Sequence, residues 1–292
     1  MKTKLIKNQL GYWEIIPKPS QQELQQYYAD TYFQEAKGSY ELKYTQEELQ
    51  YFRAKIEQRF AVIQHYLKKS TGSILDIGCG EGFNLAFFRQ QGWTVKGLDF
   101  SSAGVQSQNP DCIDALVTGD VYDLLSHEVT EGHTYDVIWL QNVLEHVVDP
   151  VGLLNMINTL IRPRGIAVIT VPNDCSITQL SALNMQYIDN KFWVAPPEHL
   201  NYFSSESLGN LAAATGWKCN KILADFPVDW FLFHPESNYI RNEKAGKAVH
   251  RARVELENII HQQPIEDVIA FWSALAKIGF GRCITAFLQR AE

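Results

Sequence analysis

The chain has 292 residues, of which 46% are hydrophobic and 20% charged, and its formal net charge is −7. A chain of this length corresponds to about two average domains, or to one large α/β domain with added segments. The ordinary hydrophobic content and the acidic balance exclude intrinsic disorder and disfavour nucleic acid as the main partner.

The sequence indicates neither an integral membrane segment nor a signal peptide. No stretch approaches the roughly 18 to 20 apolar residues that cross a bilayer, and Lys7 and Glu14 fall where a signal peptide needs an apolar run. The five cysteines are scattered without CxxC spacing, which disfavours a disulfide framework and a structural zinc site. We therefore expect a cytoplasmic protein with reduced thiols.

Residues 1–69 are expected to form an N-terminal helical cap or lid. The first predicted helix places aromatic side chains, among them Tyr28 and Tyr32, at helical spacing. These two tyrosines are candidates for a lid over a bound ligand, although the same pattern suits the packed face of a helix. A second helix is predicted over about residues 46–69, where apolar side chains recur every three or four positions.

From residue 73 onward, short apolar runs alternate with helical patterns, which is typical of βα units and a parallel sheet. The candidate strands cover residues 73–77, 94–98, 115–118, 135–140, 165–171, 217–224 and 282–288. We therefore expect one α/β core, made from residues 70–225 together with residues 280–292.

The segment 226–279 is too long for a simple connection in a compact domain, and residues 240–260 carry a helical pattern. We expect a helical insertion that covers the ligand-binding side of the core. Its aromatic and basic side chains either bind an anionic ligand, such as a nucleotide-linked sugar or an acidic glycan, or form the solvated face of a helix. The basic residues are Arg241, Lys244, Lys247, Arg251 and Arg253.

A glycine-rich turn, ILDIGCGEGF, joins the first core strand to the next helix. Gly78, Gly80 and Gly82 let the backbone turn sharply and let a ligand approach the main chain. Asp76 precedes the turn, where it would repel a pyrophosphate and tolerate a ligand with a positive centre. Alone, such a turn is equally typical of an ordinary strand-to-helix connection.

Two further carboxylates follow the next two strands. Asp99 ends the second core strand, where a carboxylate can accept hydrogen bonds from both hydroxyls of a ribose. Asp120 follows the third strand and suits an exocyclic amine such as adenine N6. With Asp76 they describe a cationic adenosine ligand without phosphates, and NAD is the alternative because Asp99 also suits its ribose.

In order and spacing, five motifs resemble class I S-adenosylmethionine-dependent methyltransferases of the small-molecule branch, which includes the ubiquinone-pathway O-methyltransferases. The motifs are ILDIGCGEG, GLDFS, TGDVYDL, YDVIWLQNVLEHVVDP and LIRPRGIAVITVPN. The flanks weakly resemble bacterial polysaccharide-cluster methyltransferases. The resemblance, which covers about residues 70–225, implies a Rossmann-like, doubly wound sheet of seven mostly parallel strands, whose last strand is antiparallel. It also implies S-adenosylmethionine as the cofactor.

The resemblance also implies a set of cofactor-binding residues along the same edge of the sheet. Gly78 and Gly80 would border the methionine part, Asp99 would bind the ribose, and Asp120 with Val121 would flank the adenine. The complete set is Asp76, Gly78, Cys79, Gly80, Gly82, Asp99, Phe100, Asp120, Val121 and Gln141.

Methyl transfer from a sulfonium is an in-line displacement, so a protein adds alignment and, for a hydroxyl acceptor, proton removal. The motif after the fourth strand supplies Glu145 and His146, and the later segment PPEHLNYF supplies His199 and Tyr202. His146 is the first candidate for a general base and His199 the second. Each of these side chains is also compatible with a purely structural role.

Some ubiquinone-pathway relatives hold a divalent cation with an ExxEH pattern at this position. Here Asn142 replaces the first carboxylate, so we expect no metal and place Asn142, with Tyr202, on the acceptor side. The expected function is methyl transfer to a small molecule, preferably O-methylation of a sugar or sugar nucleotide. A quinone precursor or other phenol is the alternative acceptor, and a non-catalytic cofactor-binding module is the alternative from another class.

Overall fold

The computed structural model describes residues 4–20, 23–24, 27 and 43–291. Its strands are β1 (Lys4–Lys7), β2 (Trp13–Ile16), β3 (Ser73–Ile77), β4 (Thr94–Asp99), β5 (Leu116–Thr118), β6 (Tyr135–Gln141), β7 (Ile161–Pro172), β8 (Asn201–Tyr202), β9 (Trp217–Ala224) and β10 (Cys283–Arg290). Its helices are α1 (Gln46–Leu67), α2 (Phe83–Gln90), α3 (Ala103–Gln108), α4 (Val121–Thr130), α5 (Pro150–Leu160), α6 (Ile177–Asn184), α7 (Ser205–Ala214), α8 (Gly246–Ile260) and α9 (Ile265–Lys277). Short 3-10 helices cover Pro110–Ala115, Val228–Phe233 and Glu243–Ala245.

Seven strands form the central sheet in the order β5-β4-β3-β6-β7-β10-β9. The neighbours β5, β4, β3, β6 and β7 are parallel, and β10 runs antiparallel to both β7 and β9. This arrangement confirms the predicted seven-stranded, mostly parallel α/β fold with an antiparallel last strand. The strand β7 begins four residues before its predicted start.

Helices cover both faces of the sheet, which explains why its strands are nearly continuous apolar runs. On one face, side chains of α1, α2 and α9 pack with those of β3, β6, β7 and β9, and Trp139 and Trp272 are among the largest that are fully buried. On the other face, α4, α5 and α7 pack against alternate residues of the same strands. The core therefore consists of two apolar layers separated by the sheet.

The N-terminal segment begins as a β-hairpin, whereas the sequence predicted a helical cap. The strands β1 and β2 are antiparallel, and β2 pairs with β8 through Trp13 and Tyr202. Ile15 is buried in a third apolar cluster beside the main sheet. The proposed lid residues Tyr28 and Tyr32 lie outside the described residues.

The insertion between β9 and β10 contains two helices of different kinds. The predicted helical pattern corresponds to α8, which lies against α1, where the Asn258 side chain donates a hydrogen bond to the Glu47 carbonyl. The helix α9 was not predicted, and it packs on the sheet through Val268 and Trp272. Part of the insertion therefore belongs to the core. None of the helices described is both long and apolar enough to cross a membrane.

The buried carboxylate of Asp136 connects β6 to the start of β3 and to the side chains of Lys69 and Arg162. Asp136 on β6 is 2% exposed and accepts hydrogen bonds from the Ser73 amide (3.0 Å), Lys69 Nζ (2.6 Å) and Arg162 Nη1 (2.7 Å). Although burial opposes ionisation, these donors hold the pKa of Asp136 below its ordinary value. The charged form of Asp136 therefore stabilises the folded state.

Replacing Asp136 by Asn is expected to lower the free energy of unfolding by about 2 kcal/mol at pH 7, because a buried anion is lost while its cations remain. Since the pKa of Asp136 is lower in the folded state, its stabilisation is present above pH 4 and is lost as the pH falls through the folded value. The two proteins should therefore converge below pH 4 in urea titrations. Asp114→Asn, at an exposed ion pair, is the matched control and should change little. An equal loss at all pH values would contradict the role of the charge.

Candidate active site

A cavity of about 850 Å³ extends along one edge of the central sheet. The carboxyl ends of the parallel strands open at this edge, and because β10 is antiparallel, its first residue, Cys283, lies there too. The lining begins at Asp120, after β5, and extends to Asp225, after β9. The cavity thus has one half at β5, β4 and β3, and another at β6, β7, β10 and β9, at the edge where ligands bind in open α/β sheets.

The glycine turn lines the first half of the cavity and requires glycine for steric reasons. Gly78 has a φ of +69°, and a Cβ on it would lie 2.5 Å from Val143 Cγ2. Gly104, at the start of α3, approaches so closely that a Cβ there would lie 2.5 Å from the Gly80 carbonyl oxygen. The turn is therefore packed between two other segments, and the close contact of Gly104 was not predicted from the sequence.

Asp99 holds this turn in place and also lines the cavity. Its Oδ2 accepts a hydrogen bond from the Gly80 amide (2.8 Å), and its Oδ1 accepts one from the Ser101 amide (3.0 Å). Burial raises the pKa of Asp99, and the amide donors partly offset that effect. Each carboxylate oxygen has further acceptor capacity, so Asp99 can bind ligand hydroxyls without releasing the turn.

Asp76 lies beneath the glycine turn and is not among the residues lining the cavity. It is fully buried and accepts a hydrogen bond from Asn84 Nδ2 (3.2 Å), and burial raises its pKa to about 7. The expected contact between Asp76 and a ligand's positive centre is therefore replaced by a role below the turn. Gly82 precedes α2 and is likewise outside the lining, whereas Cys79 and Phe100 belong to it.

Asp120 is the N-cap of α4 as well as a cavity residue. Its Oδ1 accepts hydrogen bonds from the amides of Tyr122 (2.9 Å) and Asp123 (3.3 Å). Asp120, Val121 and Tyr122 line the end of the cavity beyond β5. The capping bonds occupy one carboxylate oxygen and orient the other residues of this turn.

Gln141 marks the boundary between the two halves. Its Oε1 accepts a hydrogen bond from Arg59 Nη1 (2.7 Å), and Arg59 lies over the ring of Trp139, 5.7 Å from its centroid. Arg59 is only 6% exposed and lines the cavity together with Lys55, one helical turn earlier on α1. Neither basic residue was predicted, although their spacing of four places them on one face of a helix.

Two histidines from distant segments meet in the second half. The rings of His146 and His199 are 4.8 Å apart and nearly perpendicular. His146 Nδ1 lies 2.7 Å from the Glu198 carbonyl oxygen, so Nδ1 carries the hydrogen and Nε2 retains its lone pair. Burial lowers the pKa of His146, and burial together with the neighbouring His146 lowers the pKa of His199 to about 4. Both imidazoles are therefore neutral at neutral pH.

Glu145 adjoins this pair and is 1% exposed. Burial raises its pKa to about 8, so its side chain is mainly a neutral acid at pH 7. Among the described residues neither of its carboxyl oxygens has a hydrogen-bond partner, and Oε1 lies 3.7 Å from His146 Nε2. The predicted catalytic residues Glu145, His146 and His199 thus lie together at the cavity.

The same three residues also meet the spatial requirement for a metal site. Each offers one ligand atom, and these atoms lie within 4.8 Å of one another. The sequence predicted no metal, and proton transfer and metal binding are both compatible with this geometry.

A polar cluster around Asn201 brings the histidines together. The Asn201 side chain is fully buried and donates hydrogen bonds to the carbonyls of Val147 (2.7 Å) and Leu144 (3.4 Å). Its Oδ1 accepts a hydrogen bond from Lys18 Nζ (3.0 Å), and its amide bonds to the Glu145 carbonyl (3.0 Å). This Asn201 cluster therefore joins the loop after β6, the segment leading into β8 and the N-terminal hairpin.

The remaining predicted acceptor-side residues differ in their placement. Asn142 lines the cavity. Tyr202 is fully buried behind it, and its hydroxyl donates a hydrogen bond to the His199 carbonyl (2.8 Å). Tyr202 therefore supports His199 from below instead of facing an acceptor. From the N-terminal segment, Leu24 lines the cavity and Tyr27 donates a hydrogen bond to Glu198 (3.2 Å).

Comparison of the sequence with protein families finds one described as a methyltransferase domain, which matches residues 45–222, more than half of the chain. This match includes the glycine turn, Asp99, Asp120 and the two histidines. No curated protein matches the sequence.

Solved structures of similar fold include a SAM-dependent methyltransferase from Archaeoglobus fulgidus, with 19% identity and a TM-score of 0.51, covering 84% of this chain and 94% of that one. The plantazolicin methyltransferase BpumL, in complex with a monoazolic desmethylPZN analog and SAH, has 18% identity and a TM-score of 0.51, covering 94% of this chain and 91% of that one. The cyclase SpnF has 15% identity and a TM-score of 0.53, covering 94% and 98%. At these identities the likeness concerns the fold.

Binding of S-adenosylhomocysteine, the demethylated form of the cofactor, tests whether the first half of the cavity holds the cofactor. Asp99→Ala is expected to weaken its binding about tenfold to a hundredfold, because charged hydrogen bonds to ribose and the support of the turn are both lost. Asp111→Ala, at an exposed acid in the adjoining 3-10 helix, should bind like the wild type. Calorimetric titration measures both. Unchanged binding by Asp99→Ala would contradict the assignment, and binding of NAD in its place would support a dehydrogenase.

Proposed function

The chain belongs to the methyltransferase-domain family, and on this basis we propose that it transfers a methyl group from S-adenosylmethionine to a hydroxyl of a sugar or sugar nucleotide. The observation that carries the proposal is the meeting of His146, His199 and Glu145 at the second half of the cavity. A neutral imidazole beside a neutral carboxylic acid suits the removal of a proton from a hydroxyl. This arrangement also favours an enzyme over a non-catalytic cofactor-binding module.

In the proposed reaction an acceptor oxygen attacks the methyl carbon of the sulfonium in line with the breaking bond. The new O–CH₃ bond forms as the S–CH₃ bond breaks, and S-adenosylhomocysteine leaves with the electron pair on sulfur. The hydroxyl proton passes to Nε2 of His146, whose Nδ1 hydrogen is directed to the Glu198 carbonyl. Glu145 donates a hydrogen bond from its neutral carboxyl group and orients the acceptor.

A polar acceptor is supported by the side chains that line the second half of the cavity. Beside apolar lining residues, this half contains the following charged or hydrogen-bonding side chains: Lys55, Arg59, Gln141, Asn142, Glu145, His146, His199, Asp225, Arg253 and Arg282. Such a surface suits the hydroxyls of a sugar better than the apolar ring of a quinone precursor. Phenols remain the second candidate because the same base would serve them.

A screen with isotopically labelled S-adenosylmethionine tests the acceptor class. Sugar nucleotides and monosaccharides are expected to yield a labelled methyl ether, and phenols and quinone precursors are expected to yield none. Labelled product only from phenols would replace the sugar proposal by the phenolic one. Label transferred to no acceptor, with cofactor binding intact, would favour the non-catalytic module.

His146→Ala is expected to lower kcat about a hundredfold to a thousandfold, because proton removal in the transition state is lost. Binding of S-adenosylhomocysteine should be retained. The exposed His127 on α4 provides the matched control, since His127→Ala should leave kcat unchanged. A kcat for His146→Ala equal to that of the wild type would remove His146 from the mechanism.

The pH profile gives an independent measure of the same base. Burial lowers the pKa of His146 below its ordinary 6.5, so the basic form predominates at neutral pH. In the wild type, kcat should fall as the pH decreases through the lowered pKa of His146. It should also fall as the pH rises through about 8, because Glu145 then ionises and can no longer donate its hydrogen bond. Activity should survive dialysis against EDTA. Activity lost to EDTA and restored by a divalent cation would instead favour a metal held by Glu145, His146 and His199.

A further inference from the structure

Four basic side chains line the second half of the cavity, and they come from three separate parts of the chain. Lys55 and Arg59 lie on α1, Arg253 lies on α8, and Arg282 precedes β10. Asp225 is the carboxylate that faces this group from the end of β9. Glu145 and Glu198 are further acids that line this half, beside His146 and His199.

Two of these cations are paired with carboxylates. Lys55 Nζ lies 3.4 Å from Asp225 Oδ2, and Arg282 Nη1 lies 3.5 Å from Asp174 Oδ1. Each of these two cations therefore has the carboxylate partner that a buried charge normally requires, and no ligand is needed to explain its burial.

Arg59 and Arg253 differ, because no carboxylate in the described ranges lies within 4.0 Å of either guanidinium. Arg59 is 94% buried, and the hydrogen bond found for it there is the one to Gln141. Arg253 Nη2 donates to the Tyr51 hydroxyl (2.9 Å), while its Nε is buried and without a partner among those residues. The carboxylates of Asp225 and Glu257 raise the pKa of both guanidinium groups, but they do so from more than 4.0 Å away.

A buried guanidinium without a contacting anion is costly, and this applies most strongly to Arg59. Burial accordingly lowers the pKa of Arg59. For Arg253, desolvation is outweighed by Tyr51, Asp225 and Glu257, so its pKa is raised. Each guanidinium has five N–H donors in a planar fork that matches a carboxylate or phosphate. An anion entering the cavity would complete the hydrogen bonds that the protein leaves unmade.

We propose that the methyl acceptor carries an anionic group, a carboxylate or a phosphate, and that Arg59 and Arg253 bind it while the acceptor hydroxyl faces His146. This rests on the proposed function and narrows the acceptor to sugar acids, sugar phosphates and nucleotide-linked sugars. Within the basic run of the insertion, Arg253 has this role, whereas Arg241 pairs with Asp189 and Arg251 with Glu255 at the surface.

The test is binding of three matched probes to protein saturated with S-adenosylhomocysteine, measured by calorimetry and by the shift in Tm. The probes are glucuronate, glucose 1-phosphate and glucose, so the two anion types are compared with a neutral sugar. At least one anion is expected to bind at least tenfold more tightly than glucose. The preferred anion identifies the carboxylate or the phosphate as the recognised group.

Arg253→Gln is expected to weaken the preferred anion about tenfold to a hundredfold, and Arg253→Lys should retain part of the affinity. Arg59→Gln should have an effect similar to that of Arg253→Gln. Arg251→Gln, two residues away and exposed on the same helix, is the matched control and should bind normally. Retained binding of S-adenosylhomocysteine shows that Arg253→Gln is folded.

The proposal is overturned if no anion binds, if glucose binds equally well, or if the affinity for the anion is the same in both Gln variants as in the wild type. Failure of the proposed function has a different signature. In that case the anion binds and depends on Arg253, but no labelled methyl group is transferred to any acceptor.

Discussion

The proposed chemistry depends on the Asn201 cluster, because it holds together segments that the sheet alone does not connect. The loop after β6 lies outside the sheet, so several of its backbone carbonyls have no neighbouring strand to donate hydrogen bonds to them. Asn201 and the amides beside it accommodate the carbonyls of Leu144, Glu145 and Val147. Buried carbonyls without donors are costly, so this loop is stable only when β8 is in place. His146 and His199 meet as a consequence, although 52 residues separate them in the sequence.

The two halves of the cavity have different origins in the chain, and this difference governs what the sequence could predict. The first half of the cavity comes from consecutive βα units between Gly78 and Tyr122. There, each candidate residue lies at a fixed distance from a strand end, so the local pattern was enough to select Asp99 and Asp120, which both line the cavity. Asp76 is buried outside the cavity lining, because the pattern does not show whether a side chain at a strand end points above or below the turn.

The second half of the cavity was predicted only in part, because its geometry is set by tertiary packing. His146 and His199 were identified from their motifs, but Arg59 becomes a cavity residue only when α1 packs on the sheet, and Arg253 only when α8 packs against α1. The hairpin of β1 and β2 was missed for a related reason. Its strands have only four residues each, and β2 pairs with residues 201–202, which are distant in the sequence. The helix α9 did carry a readable signal, in the apolar spacing of Val268, Trp272 and Leu275.

The position of β10 in the sheet has a consequence for how the molecule assembles. It is inserted between β7 and β9, yet it follows β7 by more than a hundred residues in the sequence. During synthesis, the facing edges of β7 and β9 therefore remain unpaired until residues 283–290 have emerged from the ribosome. The first half of the cavity can assemble early from local contacts. The second half is complete only after β10 has formed, because Arg282 and Cys283 lie at the start of that strand. A chain arrested before this strand would have a nearly complete first half of the cavity beside an open sheet.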